Sequence, residues 1–251
     1  WRIVFASTRS SIDLWSLPID LITARLLGEP GRLIREAAPR TTPSFSADGG
    51  LLVYVLRTLD GYSVRTRILS AGTERTLVQS PVDVRARISP DGSTVAYNPS
   101  VTEKESVIHL IPSSGGEARK LCDTCGLIYD WAPDGNKIVY RSGQPVRFST
   151  VDVASGRQEL ILSHPKHSIH AAKYSPDGRW IALHFAAASN APRGIFLAPA
   201  RDGKAAPENE WIPLGERSGV RPWWSPDGNA LYFTSQGSIW RQRLDSSKRP
   251  A

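Results

Sequence analysis

Apolar and polar residues alternate along short segments of this chain, and the segments recur at a nearly constant interval. Turn residues separate them, and the same Asp-Gly pair returns at 48-49, 91-92, 134-135, 177-178 and 227-228. Successive pairs are 43, 43, 43 and 50 residues apart. Alternation with a period of two predicts half-buried β-strands, and a fixed interval of this length predicts a repeat architecture.

Each Asp-Gly pair lies between two apolar strands. A large apolar residue stands three positions before the aspartate, as in Ile88, Trp131 and Tyr174. An apolar strand, Asp-Gly and a second apolar strand form the strongest short-range hairpin signal, because Asp and Gly accept the backbone angles of tight turns. Each aspartate is therefore expected to bond its own backbone in a turn, and we do not interpret the five as a ring of carboxylate ligands.

A second pair of strands follows each hairpin. Third strands are predicted at 13–17, 62–68, 106–111, 146–151, 194–198 and 238–244, and short fourth strands at positions such as 76–78, 119–121 and 159–162. No helical period interrupts this order. The pattern predicts an all-β fold, namely a β-propeller of four-stranded antiparallel blades.

The two ends of the chain bear on the number of blades. Residues 1–5 match the strand that follows an Asp-Gly turn, so a sixth turn is expected just before residue 1. The chain then holds six second and six third strands, but five first and five fourth strands. We predict a single propeller domain over 1–251 with six blades, seven being the alternative, and a ring that is incomplete at the chain ends.

Composition narrows the choice of partners. The chain has 251 residues, of which 40% are hydrophobic, and this length suffices for a core without a disulfide or metal staple. Its formal net charge of +7 favours anions, yet arginine is scattered through every repeat, so nucleic acid is not expected as a partner. No apolar run approaches the length of a membrane span. A protein partner or a small anionic ligand is the expectation.

The repeats resemble those of a known family. The Ser-Pro-Asp-Gly units at 89–92, 175–178 and 225–228 look like the WD-repeat-like units of TolB-type bacterial propellers. The stretches 13–20, 121–126 and 210–213 are similar to propellers that follow bacterial winged-helix regulators and Ser/Thr kinases. This resemblance implies a sensory or interaction domain fused to an output domain. The chain shows no N-terminal α/β domain of TolB, so a role in the Tol–Pal envelope system is not carried over.

Two groups of residues invite a chemical interpretation. Cys122 and Cys125 lack the second pair of ligands that a zinc site needs, which leaves a local disulfide or two quiet thiols, and a disulfide would fit an extracytoplasmic location. His164, His167 and His170 recur every three residues, but Pro165 excludes a helix that would align them. We expect solvated loop histidines, with no metal and no cofactor.

The remaining candidate site follows from propeller geometry. Loops that enter the first strands meet at the mouth of the central channel, and the residues expected there are Arg40, Arg85, Asp130, His170 and Arg221. Arginine and histidine at one mouth would suit a carboxylate or a peptide C-terminus. A nucleophile elbow of the form Gly-x-Ser-x-Gly is missing from the sequence, so we do not expect an enzyme. The leading interpretation is a non-catalytic binding module; a gating propeller of a prolyl-peptidase-type hydrolase and a structural envelope scaffold remain open as alternatives.

Overall fold

A computed structural model describes residues 2–8, 12–20, 23–37, 43–99, 106–165, 168–185, 194–214, 219–245 and 247–248. The chain divides into two compact units, 1–131 and 132–251, and each is described by itself. The fold is all-β, as predicted, with antiparallel strands throughout and one short 3₁₀ turn, Glu208–Glu210, among the described residues. That 1–251 forms a single domain stays a prediction.

The first unit opens with a seven-stranded sheet that joins strands of two successive repeats. Its strands are β1 (Arg2–Thr8), β2 (Ile12–Pro18), β3 (Gly31–Ala37), β4 (Ser44–Phe45), β5 (Leu51–Thr58), β6 (Gly61–Ile68) and β7 (Glu74–Ser80). Among the described residues, one backbone bridge, between Ala37 of β3 and Leu56 of β5, connects the two repeats. The described strands therefore form five sheets in place of the six blades expected, because this bridge merges the first two repeats.

The rest of the first unit is a four-stranded sheet and one further strand. The sheet contains β8 (Val84–Ile88), β9 (Thr94–Pro99), β10 (Ser106–Pro112) and β11 (Arg119–Cys125), paired in that order, and β12 (Leu127–Trp131) follows. In the core, alternate residues of β5 belong to two different clusters of buried side chains. Leu52 and Tyr54 pack with Leu14, whereas Val53 and Val55 pack against β8 and β9. This alternation explains the period-two pattern of the sequence.

The second unit contains eleven described strands. They are β13 (Lys137–Ser142), β14 (Arg147–Asp152), β15 (Gln158–Ser163), β16 (Ile169–Tyr174), β17 (Trp180–Phe185), β18 (Gly194–Arg201), β19 (Lys204–Ala205), β20 (Ile212–Pro213), β21 (Val220–Trp224), β22 (Ala230–Ser235) and β23 (Ser238–Arg243). Consecutive strands pair within β13–β15, β16–β19 and β21–β23, and β20 pairs with β18. All six predicted third strands are confirmed by β2, β6, β10, β14, β18 and β23.

The longest repeat contains an inserted segment that the sequence did not predict, the excursion between Arg201 and Val220. Between β18 and β21, the place of one fourth strand is taken by β19, the 3₁₀ turn and β20. The Trp211 indole donates to the Ala206 carbonyl at 2.7 Å, and the Arg201 guanidinium donates to Glu210 at 2.9 Å. The bond of Trp211 closes the excursion on itself, whereas the Arg201 contact and the pairing of β20 with β18 hold it against β18. The excursion contributes to the 50-residue spacing of the last two turns.

The recurring turn is built by its serine and its aspartate. In the fourth repeat the Ser175 hydroxyl donates to Asp177 Oδ1 at 2.5 Å and accepts the Trp180 amide at 3.0 Å. Asp177 Oδ1 also accepts the Arg179 amide at 3.1 Å. The same pair of serine bonds is made by Ser46, Ser89 and Ser225, which are all buried. The turn aspartates therefore accept hydrogen bonds from backbone amides of their own turns, as in an Asx-type turn.

Candidate functional site

The candidate residues of the first unit lie on β8 and β12. Arg85 is half-buried on β8, opposite Asn98 of β9 in the strand register. Asn98 is fully buried, donates to the Ser106 hydroxyl at 2.6 Å and accepts the Ile128 amide at 3.3 Å. This bond to Ile128 ties β9 to β12, so the backbone that presents Arg85 is held in place by buried hydrogen bonds.

Asp130 of β12 lies next to a buried cation that the sequence did not single out. Burial lowers the pKa of the Arg87 guanidinium, and the negative charge of Asp130 opposes that effect. The Arg87 guanidinium donates to the carbonyls of Tyr129 and Ala86, each at 2.8 Å. The Trp131 indole in turn donates to the Arg87 carbonyl at 3.1 Å. Asp130 thus stabilises a buried arginine, which is a structural use of its charge.

The candidate histidine of the second unit is exposed on β16. His170 lies where the register of β16 against β17 shifts, between the pairs Ile169–Phe185 and Ala171–His184. Its ring contacts that of His184 edge to face, with centroids 5.7 Å apart and planes at 71°. Burial, and secondarily the charge of His170, lowers the pKa of His184 to about 4. His184 was missed from the sequence because only the strand register brings it to His170.

Arg221 occupies a second irregularity, on β21. The pairing of β21 with β22 shifts between Val220 and Trp223, and Arg221 lies inside that shift with φ of 55°. Its side chain is exposed, and β21 packs against both β16 and β17. A left-handed backbone at an arginine is uncommon and costs on the order of 1 kcal/mol or more. Bulges of this kind redirect side chains and are frequent beside binding sites.

Of the other two histidines in the motif at 164–170, the structure describes His164. His167 and the candidate Arg40 lie outside the described residues. His164 is buried, not solvated as expected, because its Nε2 lies 3.1 Å from Glu208 Oε2 and its ring packs near Phe185 and Trp211. This contact helps to hold the excursion after β18 in place. Within the described ranges, no three His, Cys, Asp or Glu side chains form a group that could hold a metal ion.

Cys122 and Cys125 are joined by a disulfide within β11, with their Cα atoms 5.8 Å apart. Cys125 is fully buried, and both cysteines pair in register with β10 around two local shifts, Cys125 with Ser106 and Cys122 with Ile108. The disulfide joins two residues of the same strand where its pairing with β10 is irregular, and it links no two separate strands. Among the described residues, no helix has the length and apolarity of a membrane span.

Comparisons with known proteins establish the fold class first. No family model matches the chain. The chain aligns with the structure of a prolyl endopeptidase at a TM-score of 0.60 and 13% identity. The alignment covers 96% of this chain and 40% of that one. At such identity the likeness shows the fold alone, which is a β-propeller.

Two further structures define the type of propeller. TolB from Acinetobacter baumannii has a TM-score of 0.71 and 16% identity, covering 99% of this chain and 62% of that one. A TolB-like protein from Agrobacterium tumefaciens has a TM-score of 0.64 and 22% identity, covering 88% and 82%. An uncharacterized protein of Agrobacterium fabrum is 36% identical over 97 residues, 38% of this chain and 33% of that protein. The chain thus has the fold of TolB propellers, and its match spans a third of this curated relative.

Proposed function

We propose that this propeller is a non-catalytic binding module that holds a protein partner or a small anionic ligand through basic side chains of its first strands. The observation that carries the proposal is the strained bulge at Arg221, which presents an exposed guanidinium from β21. A second register shift exposes His170 on β16, the strand against which β21 packs. Irregularities in two neighbouring first strands favour a role in recognition, because regular pairing would cost less.

The charge of these residues selects the class of ligand. Arg85 and Arg221 each carry a guanidinium group, and a guanidinium matches a carboxylate or phosphate with two parallel hydrogen bonds. Arg85 is half-buried, where a bound anion would be screened less than on the open surface. The net charge of +7 adds a general attraction for anions. A C-terminal carboxylate of a peptide or a small organic acid fits these features best.

The turn aspartates Asp91 and Asp177 and the buried Arg87, whose pKa values are lowered, have structural uses, and this supports a role without catalysis. The turn aspartates are held by serine hydroxyls, and Asp130 stabilises Arg87. The second candidate is a gating propeller of a hydrolase, favoured by the match to prolyl endopeptidases over 96% of this chain. Fusion to an output domain and an extracytoplasmic location, which the disulfide favours, belong to the proposal as well.

The test is a thermal-shift titration of the wild type with inorganic phosphate, succinate and a peptide with a free or an amidated C-terminus. A ligand at about 100 times its Kd stabilises the folded protein by about 2.7 kcal/mol. The Arg85→Ala/Arg221→Ala variant is expected to weaken binding at least tenfold, since each charged hydrogen bond contributes about 1.5–3 kcal/mol.

A matched control removes the same charge elsewhere. Arg57 of β5 and Arg243 of β23 are exposed, one in each unit, and the Arg57→Ala/Arg243→Ala variant should keep the wild-type affinity. The proposal fails if no anion stabilises the wild type, or if both double variants lose affinity equally. Equal loss would mean that net charge, and not this site, attracts the anion.

A further inference from the structure

The histidine pair on β16 and β17 offers a site that the sequence motif did not predict. We infer that His170 and His184 together bind a late first-row divalent metal ion, such as Cu²⁺ or Zn²⁺, through one imidazole nitrogen each. This inference goes beyond the proposed function and does not depend on it, because Arg85 and Arg221 carry the anion-binding argument.

The geometry of the two rings supports the inference. Two imidazoles bound to one ion at about 2.0–2.1 Å place their ring centroids roughly 5–6 Å apart. The observed centroid separation is 5.7 Å and the planes meet at 71°, so the rings are not stacked on each other. Chelation would require the two side chains to rotate until one nitrogen of each ring faces a common point.

The strands around the pair make it accessible and fix its position. His170 is exposed at the register shift, which gives an ion an approach from solvent. His184 is nearly buried between β16 and β18, opposite Ala171 on one side and Ile195 on the other. The two backbones are held by regular pairing on both sides of the shift. The backbone positions of the two histidines are therefore fixed before an ion binds, which favours chelation over binding by a single imidazole.

The donor set decides the class of metal. Imidazole nitrogen suits copper, zinc and nickel, whereas magnesium and calcium prefer oxygen ligands. Among the described residues no third protein ligand joins the pair, so water or an oxygen of a bound ligand would complete the coordination. Such an open site binds in the order of intrinsic affinity, which places Cu²⁺ above Zn²⁺ and Ni²⁺.

The test is a titration of the wild-type chain with Cu²⁺ against a competing chelator such as glycine, followed by calorimetry and by electron paramagnetic resonance. One ion per chain is expected, with nitrogen hyperfine structure from two imidazoles. His170→Ala and His184→Gln should each weaken binding at least tenfold, or about 1.4 kcal/mol. His170 is exposed, so its variant is expected to fold even if the variant of nearly buried His184 does not.

Two controls separate this site from other histidines. His167→Ala tests the local sequence motif, and His109→Gln tests a half-buried histidine that stacks on Tyr97 in the first unit. Both variants should bind Cu²⁺ like the wild type. Loss of binding in His167→Ala with retention in His184→Gln would assign the ion to the motif and overturn the inference. A wild-type Kd equal to those of His170→Ala and His184→Gln would also overturn it.

Discussion

The hydroxyl of the turn serine is expected to stabilise each hairpin that contains it. Ser175 is fully buried, and its hydroxyl is bonded to both the Asp177 carboxylate and the Trp180 amide. Ser175→Ala removes both bonds and leaves the Trp180 amide without this acceptor. A buried donor that loses its partner costs about 1–3 kcal/mol, and Asp177, which is partly exposed, can exchange the lost bond for water. We therefore expect a loss of about 1–2 kcal/mol in the free energy of unfolding.

The third repeat supplies the reciprocal experiment. Ala132 stands at the position of the serine, and its amide donates to the Lys137 carbonyl at 2.8 Å, just as the Ser175 amide donates to the Trp180 carbonyl. Because the backbone is equivalent, Ala132→Ser should form the missing bonds and stabilise the protein by about 0.5–1 kcal/mol. Urea unfolding followed by tryptophan fluorescence measures both variants, and the midpoint should move without a change in slope.

The pH dependence adds an independent check. Burial alone would raise the pKa of Asp177, but bonds from the Ser175 hydroxyl and from the Arg179 amide and guanidinium outweigh it and lower the pKa to about 2. A carboxyl with a lowered folded-state pKa contributes stability above its unfolded value of 3.8 and loses it as the pH falls through about 2. The difference between wild type and Ser175→Ala should therefore shrink over that window. Midpoints that match for all three proteins at neutral pH would refute the reasoning.

Two further predictions concern the backbone and the buried charge. A Cβ at Gly61, where φ is +134°, would lie 2.3 Å from the Ser80 carbonyl oxygen, whereas one at Gly237, with φ +77°, meets nothing within 4 Å. Gly61→Ala should lower the free energy of unfolding by about 3 kcal/mol or more, measured by the same urea assay. Gly237→Ala should lower it by about 1 kcal/mol. Equal losses in the two variants would contradict the argument from the clash with Ser80. Arg87→Met should cost about 1–3 kcal/mol in the same assay, since it leaves the carbonyls of Tyr129 and Ala86 without the guanidinium donor, and an unchanged urea midpoint would show that these bonds are not needed.

The sequence was most informative where local chemistry decides the structure. The Asp-Gly turns, the strands on both sides of them and all six third strands lie where the alternation predicted them, because turn angles and strand period are local properties. The fold class followed from the interval between the turns. The sequence did not predict that the first two repeats share one sheet. The bridge between Ala37 and Leu56 that joins them depends on how two sheets approach each other.

The candidate site was less predictable, since its features depend on strand register. The alternating pattern contained no sign of the shifts at His170 and Arg221, nor of the contact between His170 and His184, which are fourteen residues apart. Arg87 differs from Arg85 by two positions, and the sequence cannot tell which of the two is buried. His164 was expected in solvent, yet its partner Glu208 comes from an excursion that no repeat predicted.

Residues that differ among the repeats, and not those that recur, can give the propeller specificity for a ligand. Residues that recur from repeat to repeat, such as the turn aspartate and, in four of the five repeats with an Asp-Gly turn, the turn serine, take part in forming the hairpins and would give those repeats the same chemistry. Any discrimination among ligands must come from positions at which the repeats differ. Near the start of their strands these positions hold Arg85, His170 and Arg221, whereas Asp130 lies near the end of β12, and His170 and Arg221 lie at register shifts. Since each bulge disrupts a ladder that the pairing of β8 with β9 keeps regular, we expect variation at His170 and Arg221 to alter binding more than stability.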